Sequence, residues 1–158
     1  MRSRQFLIPQ LVTGILLMGF VLTACRQIDL YEKTKPFGKH SWATADTASF
    51  TFDIKDTTVP YKLFFVMRHE DAYGYRNIWL NIKATTPDTS FVVKKEFILS
   101  DNNKWLGNAM DDIIEHRIPF NMLKLRKPGV CTFTLQQVMR EDPLQHVLNA
   151  GIRVEKVQ

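Results

Sequence analysis

Cys25 offers the plainest chemistry in this chain of 158 residues. It stands directly after Leu22-Thr23-Ala24, and the stretch before it is built for export. Arg2 and Arg4 give a positive start, and Leu11 to Leu22 is apolar apart from Thr13 and two glycines. A positive n-region, a short apolar h-region and small residues before the cut describe a secretory signal. A membrane-crossing helix needs about 20 apolar residues, and Pro9-Gln10 cut this stretch short of that. The order Leu-Thr-Ala-Cys matches the bacterial lipobox: the thiol takes a diacylglycerol thioether, and small flanking side chains fit a peptidase groove. Each buried methylene of an acyl chain contributes about 0.8 kcal/mol, so two or more chains hold a protein stably on a bilayer. Residues 1–24 are therefore read as a lipoprotein signal peptide and Cys25 as the lipid-bearing (palmitate) residue.

The other reactive residue types form no such pattern. Cys131 lies in Val130-Cys131-Thr132-Phe133-Thr134-Leu135, in phase with Phe133 and Leu135, which points to a buried small side chain. With Cys25 lipidated no intrachain disulfide is available, and no His near Cys131 in sequence activates its thiol. His69-Glu70-Asp71 lacks the second His that the helical zinc motif needs four residues on, where Tyr73 stands. His40, His116 and His146 show no ligand spacing, so all four histidines read as structural or solvated. Asp101-Asn102-Asn103 and Asp111-Asp112 supply oxygens of the kind calcium takes, without the twelve-residue loop and its closing Glu; turn chemistry explains them more simply. There is no Gly-rich phosphate loop and no Gly-x-Ser-x-Gly elbow. The sixteen acids allow many pairs, and nothing singles one out. No metal, cofactor or catalytic residue is expected. Trp79 falls between Ile78 and Leu80, so alternation turns it to the opposite face. With Tyr73, Tyr75 and Trp105 it forms a candidate interface, or a platform on which a sugar stacks. Residues 104–120 are also placed to cover that face, which would make these rings part of the packing.

The elements that must position these residues read as strands. From Cys25 to about Ala45 little periodicity is visible, as in a flexible tether. Phe50, Phe52 and Ile54 then alternate with Thr51 and Asp53, the period of a half-buried strand. Pro60 opens the next strand, Tyr61 to Met67, apolar on both faces. Ile78, Leu80 and Ile82 face inward, residues 90–99 form another strand, and 130–138 and 147–155 the last two, with Leu148, Ala150, Ile152 and Val154 in phase. Asp56-Thr57-Thr58, Asp71 to Gly74, Thr86-Pro87-Asp88, Ser100 to Asn103 and Lys127-Pro128-Gly129 are turns. Only 108–115 is a candidate helix. Strands at this spacing predict an all-β, antiparallel β-sandwich of roughly seven to eight strands with at most one short helix; an open barrel is the alternative. The expected organisation is 1–24 signal peptide, 25–45 lipidated tether and 46–158 sandwich domain. Removing 1–24 leaves 134 residues, enough for one core. It takes away Arg2 and Arg4 and no acid, lowering the formal charge from +5 to +3. With no basic run, nucleic acid is not an expected partner.

Several segments in this order are similar to the gliding motility lipoproteins called GldH, found in the Bacteroidetes. They are Phe50-Thr51-Phe52-Asp53-Ile54-Lys55-Asp56, Pro60-Tyr61-Lys62-Leu63 and Met67-Arg68. Tyr73-Gly74-Tyr75-Arg76-Asn77-Ile78-Trp79-Leu80 and Lys104-Trp105-Leu106-Gly107 follow. Gln137-Val138-Met139-Arg140 with Pro143-Leu144, and Gly151-Ile152-Arg153-Val154-Glu155-Lys156, complete the set. The resemblance covers nearly the whole mature chain. The family tends to have glycines just before Lys104 and shortly after Gly107, where this chain has Asn103 and Ala109; Asn adopts the same left-handed backbone. The resemblance implies an envelope lipoprotein of the gliding machinery that is not an enzyme and acts through protein contacts. A lipid-anchored carbohydrate-binding sandwich is the second reading and an unrecognised hydrolase the third. The expected location is the outer membrane, with the periplasmic face favoured because no acid cluster follows Arg26 and Gln27.

Overall fold

The computed structural model describes residues 31–157. The expected signal at 1–24, the lipidation residue Cys25 and residues 25–30 of the expected tether lie outside the described residues. The strands are β1 (Tyr31–Pro36), β2 (Ser41–Trp42), β3 (Ala48–Ile54), β4 (Tyr61–Glu70), β5 (Asn77–Thr85), β6 (Ser90–Ile98) and β7 (Ser100–Asp101). They continue as β8 (Lys104–Trp105), β9 (Asn108–Met110), β10 (Ile113–Leu123), β11 (Gly129–Gln137), β12 (Leu144–Gln145) and β13 (Val147–Lys156). One sheet runs β1-β13-β4-β10-β9 and a second runs β3-β11-β5-β6. Every pairing is antiparallel. The two sheets face each other across one core: Phe50, Phe52 and Ile54 of β3 and Ile78, Leu80 and Ile82 of β5 are buried with Leu63, Phe65 and Met67 of β4. The all-β sandwich is thus the fold, with nine strands in its two main sheets.

Three local readings are corrected. The part of the tether expected over 31–45 belongs to the folded unit. Strand β1 pairs along its whole length with β13, and Phe37 and Trp42 are buried with their rings stacked 4.6 Å apart. The Trp42 indole also donates to the Asp46 carbonyl at 2.8 Å. Edge strands gain most from main-chain pairing and need little apolar alternation, so Glu32-Lys33-Thr34-Lys35 carries no visible period. The expected helix over 108–115 is β9, a turn and the start of β10. Asp111 takes a positive φ of 54° there, and Ile114 and His116 alternate inward. A buried histidine in place of an apolar residue disguised the strand period. In β13 a register shift between Val147 and Asn149 moves Leu148 out of phase, so Val147 takes the core position.

Glycines sit where strands crowd. A Cβ on Gly151 would lie 2.1 Å from the Lys33 carbonyl oxygen, so β1 approaches β13 only because that position has no side chain. At the tip between β7 and β8, Asn102 and Asn103 have φ of 46° and 61°, the left-handed pair a tight hairpin needs. Cys131 is fully buried, and burial pushes its thiol up to about 11, so it packs and does not react.

Candidate functional site

Trp79 occupies the outer face of its sheet because Ile78 and Leu80 on either side are fully buried, and successive strand residues point to opposite faces. Its ring is half-buried. Lys94 of β6 reaches over it, with Nζ 5.3 Å from the ring centroid. The residues after β11 form the other wall. The Val138 N–H donates to the Trp79 carbonyl at 3.0 Å, and the Trp79 N–H donates to the Met139 sulfur at 3.3 Å. Gln137 fixes this wall from inside the fold. Its amide is fully buried and donates to the Trp42 carbonyl at 3.2 Å and the Thr44 hydroxyl at 2.8 Å, while its oxygen accepts from the Met139 N–H at 2.8 Å. Tyr75, Asn77, Trp79, Lys94, Val138, Met139 and Arg140 together line a shallow cleft of about 390 Å³. A ring, a thioether and two cations suit an apolar side chain lying beside an anionic group. The nearby acid Glu141 is bound to the Tyr75 hydroxyl and pushes that phenol up; no pair of carboxyls converges in the cleft. Residues 104–120 do not line it.

The four candidate aromatics do not form one surface. Tyr75 and Trp79 line the cleft, whereas Tyr73 is only 4% exposed and donates to the Asn77 carbonyl at 3.1 Å. Burial raises its phenol well above the ordinary value. Tyr73 links two groups of rings. On one side it meets Tyr75, centroids 5.8 Å apart, and on the other it meets His69 at 4.9 Å and Trp105 at 6.4 Å. Trp105 is half-buried, packs edge-on against His69 at 4.5 Å and donates to Asp71 at 2.6 Å.

All four histidines gather at the end of β4, which their spacing in the sequence does not announce. His69 and His116 are both buried, with their Nε2 atoms 3.0 Å apart. Their protons follow from the surroundings. His69 Nδ1 lies 2.7 Å from the Glu70 carbonyl, which only accepts, so Nδ1 carries the hydrogen and Nε2 is left with its lone pair. His116 Nε2–H then donates to it, and both rings are neutral. Burial lowers His69 below its ordinary value and, with His69 beside it, pushes His116 down to about 4. The exposed flank is different: the Nδ1 atoms of His40 and His146 each lie 2.5 Å from one Glu70 oxygen. Hydrogen bonds from His146 and then His40 hold that carboxyl below the usual range. Among the described residues no group of three or more His, Cys, Asp or Glu is arranged to hold a metal ion. His69 and His116 come from the paired strands β4 and β10, His146 from between β12 and β13 and His40 from the turn after β1, which spacing along one segment does not reveal.

The family model described as GldH lipoprotein matches residues 29–154. A gliding motility lipoprotein GldH homolog of Christiangramia forsetii is 23% identical over 146 residues, covering 86% of this chain and 89% of its own. The gliding motility lipoprotein GldH of Flavobacterium johnsoniae is 23% identical over 154 residues, covering 91% and 96%. Among solved structures, the infectious bursal disease virus VP2 subviral particle aligns over 81% of this chain and 30% of that one. Its 9% identity and TM-score of 0.35 are too low to argue from.

Proposed function

The chain belongs to the GldH lipoprotein family, non-catalytic motility components of the cell envelope, and from that premise we propose that it is a lipid-anchored docking protein. Lipid on Cys25, exposed once residues 1–24 are removed, holds it on the membrane, and the Trp79 cleft receives a protein partner. The observation that carries the docking reading is a tryptophan left half-exposed on a sheet face, walled by Met139 and capped by Lys94. Large rings in partly desolvated pockets are the usual anchors of protein interfaces. Lys94 lies over the face on which a sugar ring would stack, which weighs against the carbohydrate reading. We place the protein on the periplasmic face of the outer membrane, since Arg26 and Gln27 follow the lipid cysteine without an acid cluster. The test is Trp79→Ala in the full chain, expressed in a gliding host lacking its own copy. Loss of spreading and of co-purifying envelope protein, with unchanged abundance, is expected. Normal spreading with the ring removed would overturn the cleft as the docking site.

A further inference from the structure

The two main sheets have four edges, and three of them are blunted. Strand β9 is only three residues long. Strand β1 carries Glu32, Lys33 and Lys35 and ends in Pro36. Strand β3 lies against β1, with the Tyr31 and Phe52 rings 4.9 Å apart. Strand β6 also carries charges, Lys94, Lys95 and Glu96 at its middle, but it is neither short, nor ended by a proline, nor, among the described residues, covered by another strand. It pairs with β5 over nine residues without a bulge, contains no proline, and among the described residues no strand pairs with its other edge. It also leaves Val92 67% and Ile98 50% exposed near its two ends. A long, regular and partly apolar free edge is a template for another strand, and soluble proteins ordinarily block such edges.

We propose that the free edge of β6 takes up an extended segment of the partner as an added strand, one with adjacent acidic residues at its centre and apolar residues on either side. This deepens the docking reading of the Trp79 cleft and rests on it, because Lys94 belongs to both surfaces. The charge of the edge selects the partner. Lys94 and Lys95 are consecutive at the middle of β6 and so point to opposite faces. A strand bearing two adjacent acids sets one carboxylate opposite each lysine. Glu96, the strand's own acid, is engaged by the Asn77 amide, and Lys83 stands opposite Val92 on β5. A second copy of this chain fits poorly: the antiparallel register that pairs all nine residues sets Lys94 directly against its own copy, and like charges directly opposite destabilise a pair. Main-chain hydrogen bonds would hold the segment, and the side chains would choose it.

The experiment uses the full mature chain in detergent micelles with two probe peptides of nine residues. Both alternate Thr and Val; one has Asp-Glu at its centre and the other Lys-Lys. The acidic peptide should bind at least about tenfold more tightly than the basic one and slow amide hydrogen exchange over residues 90–98. The doubly reversed variant K94E/K95E, with its melting temperature checked against the parent, should invert the preference. Equal binding of both peptides, or no binding of the acidic one, overturns the proposal. Binding without slower exchange over 90–98 also overturns strand addition; if Trp79→Ala abolishes that binding, the cleft reading survives alone. Concentration-dependent dimers protected over 90–98 without peptide would assign the edge to a second copy instead.

Discussion

Trp42 and Trp79 carry the same ring in opposite surroundings, so one substitution at each separates packing from docking. Trp42 is fully buried, stacked on Phe37 and hydrogen-bonded to Asp46; Trp42→Ala should cost about 3–5 kcal/mol. Trp79→Ala removes a half-exposed ring and should cost about 1 kcal/mol. Thermal denaturation of the two variants reads the difference directly, and equal falls in melting temperature would make Trp79 a core residue. The outward direction of Trp79 was legible because alternation around Ile78 and Leu80 is strict. The histidine pair was not legible, since its members lie 47 residues apart and meet only through the register of β4 with β10. That pair gives stability a pH dependence. His116 sits at about 4 in the fold against an ordinary 6.5, so unfolding takes up a proton between those values. The contribution is present above 6.5 and is lost as pH falls towards 4, amounting to roughly 3 kcal/mol. His116→Gln keeps an N–H for His69 and removes one titration, so its melting temperature should fall less steeply between pH 6.5 and 4. A slope equal to the parent's would separate the pair from acid sensitivity.

At the scale of elements, β1 and β10 escaped the sequence reading for different reasons. Strand β1 lies on a sheet edge and shows only polar residues between Tyr31 and Pro36. Strand β10 has His116 where an apolar residue would have marked the inward face. Two changes test what β1 contributes. Gly151→Ala forces a Cβ against the Lys33 carbonyl, and overpacking of this kind costs about 1–3 kcal/mol. Urea unfolding should show that loss, together with faster proteolysis between residues 31 and 42; unchanged proteolysis would mean that β1 adapts without leaving its place. A chain beginning at Ala45 lacks β1, Phe37 and Trp42. Burial of those two rings alone contributes about 3–6 kcal/mol, out of the ~5–15 kcal/mol typical of a domain. Its urea midpoint should therefore lie far below that of the parent, or the transition should be lost altogether; a midpoint equal to the parent's would show β1 to be dispensable.

At the scale of the molecule, strand spacing and turn chemistry were enough to announce a sandwich, because each strand must bury one face. The strand order was out of reach: β13 lies between β1 and β4, and β11 between β3 and β5, and no local pattern encodes such distant partners. The proposed anchor is lipid on Cys25, and Cys25→Ser should abolish incorporation of a labelled fatty acid; equal label in mutant and parent would sink the anchor. Strand β1 begins at Tyr31, six residues after that cysteine, and six residues reach at most roughly 20 Å. Tyr31 pairs with Val154 at the same end as Tyr61 and Lys156, so a lipid on Cys25 would hold that end, with Lys62, Lys124 and Lys127, close to the headgroups. The ten residues of β4 would then carry Glu70 roughly 30 Å further out, with the mouth of the Trp79 cleft at that far end. A partner would then have to come within roughly 50 Å of the bilayer to engage, and the width of the gap above the membrane would control docking. A fluorophore on Lys127→Cys should be quenched strongly by a headgroup-bound quencher and one on Gly74→Cys weakly; the buried Cys131 leaves both labels clean. Equal quenching would mean that the molecule lies flat.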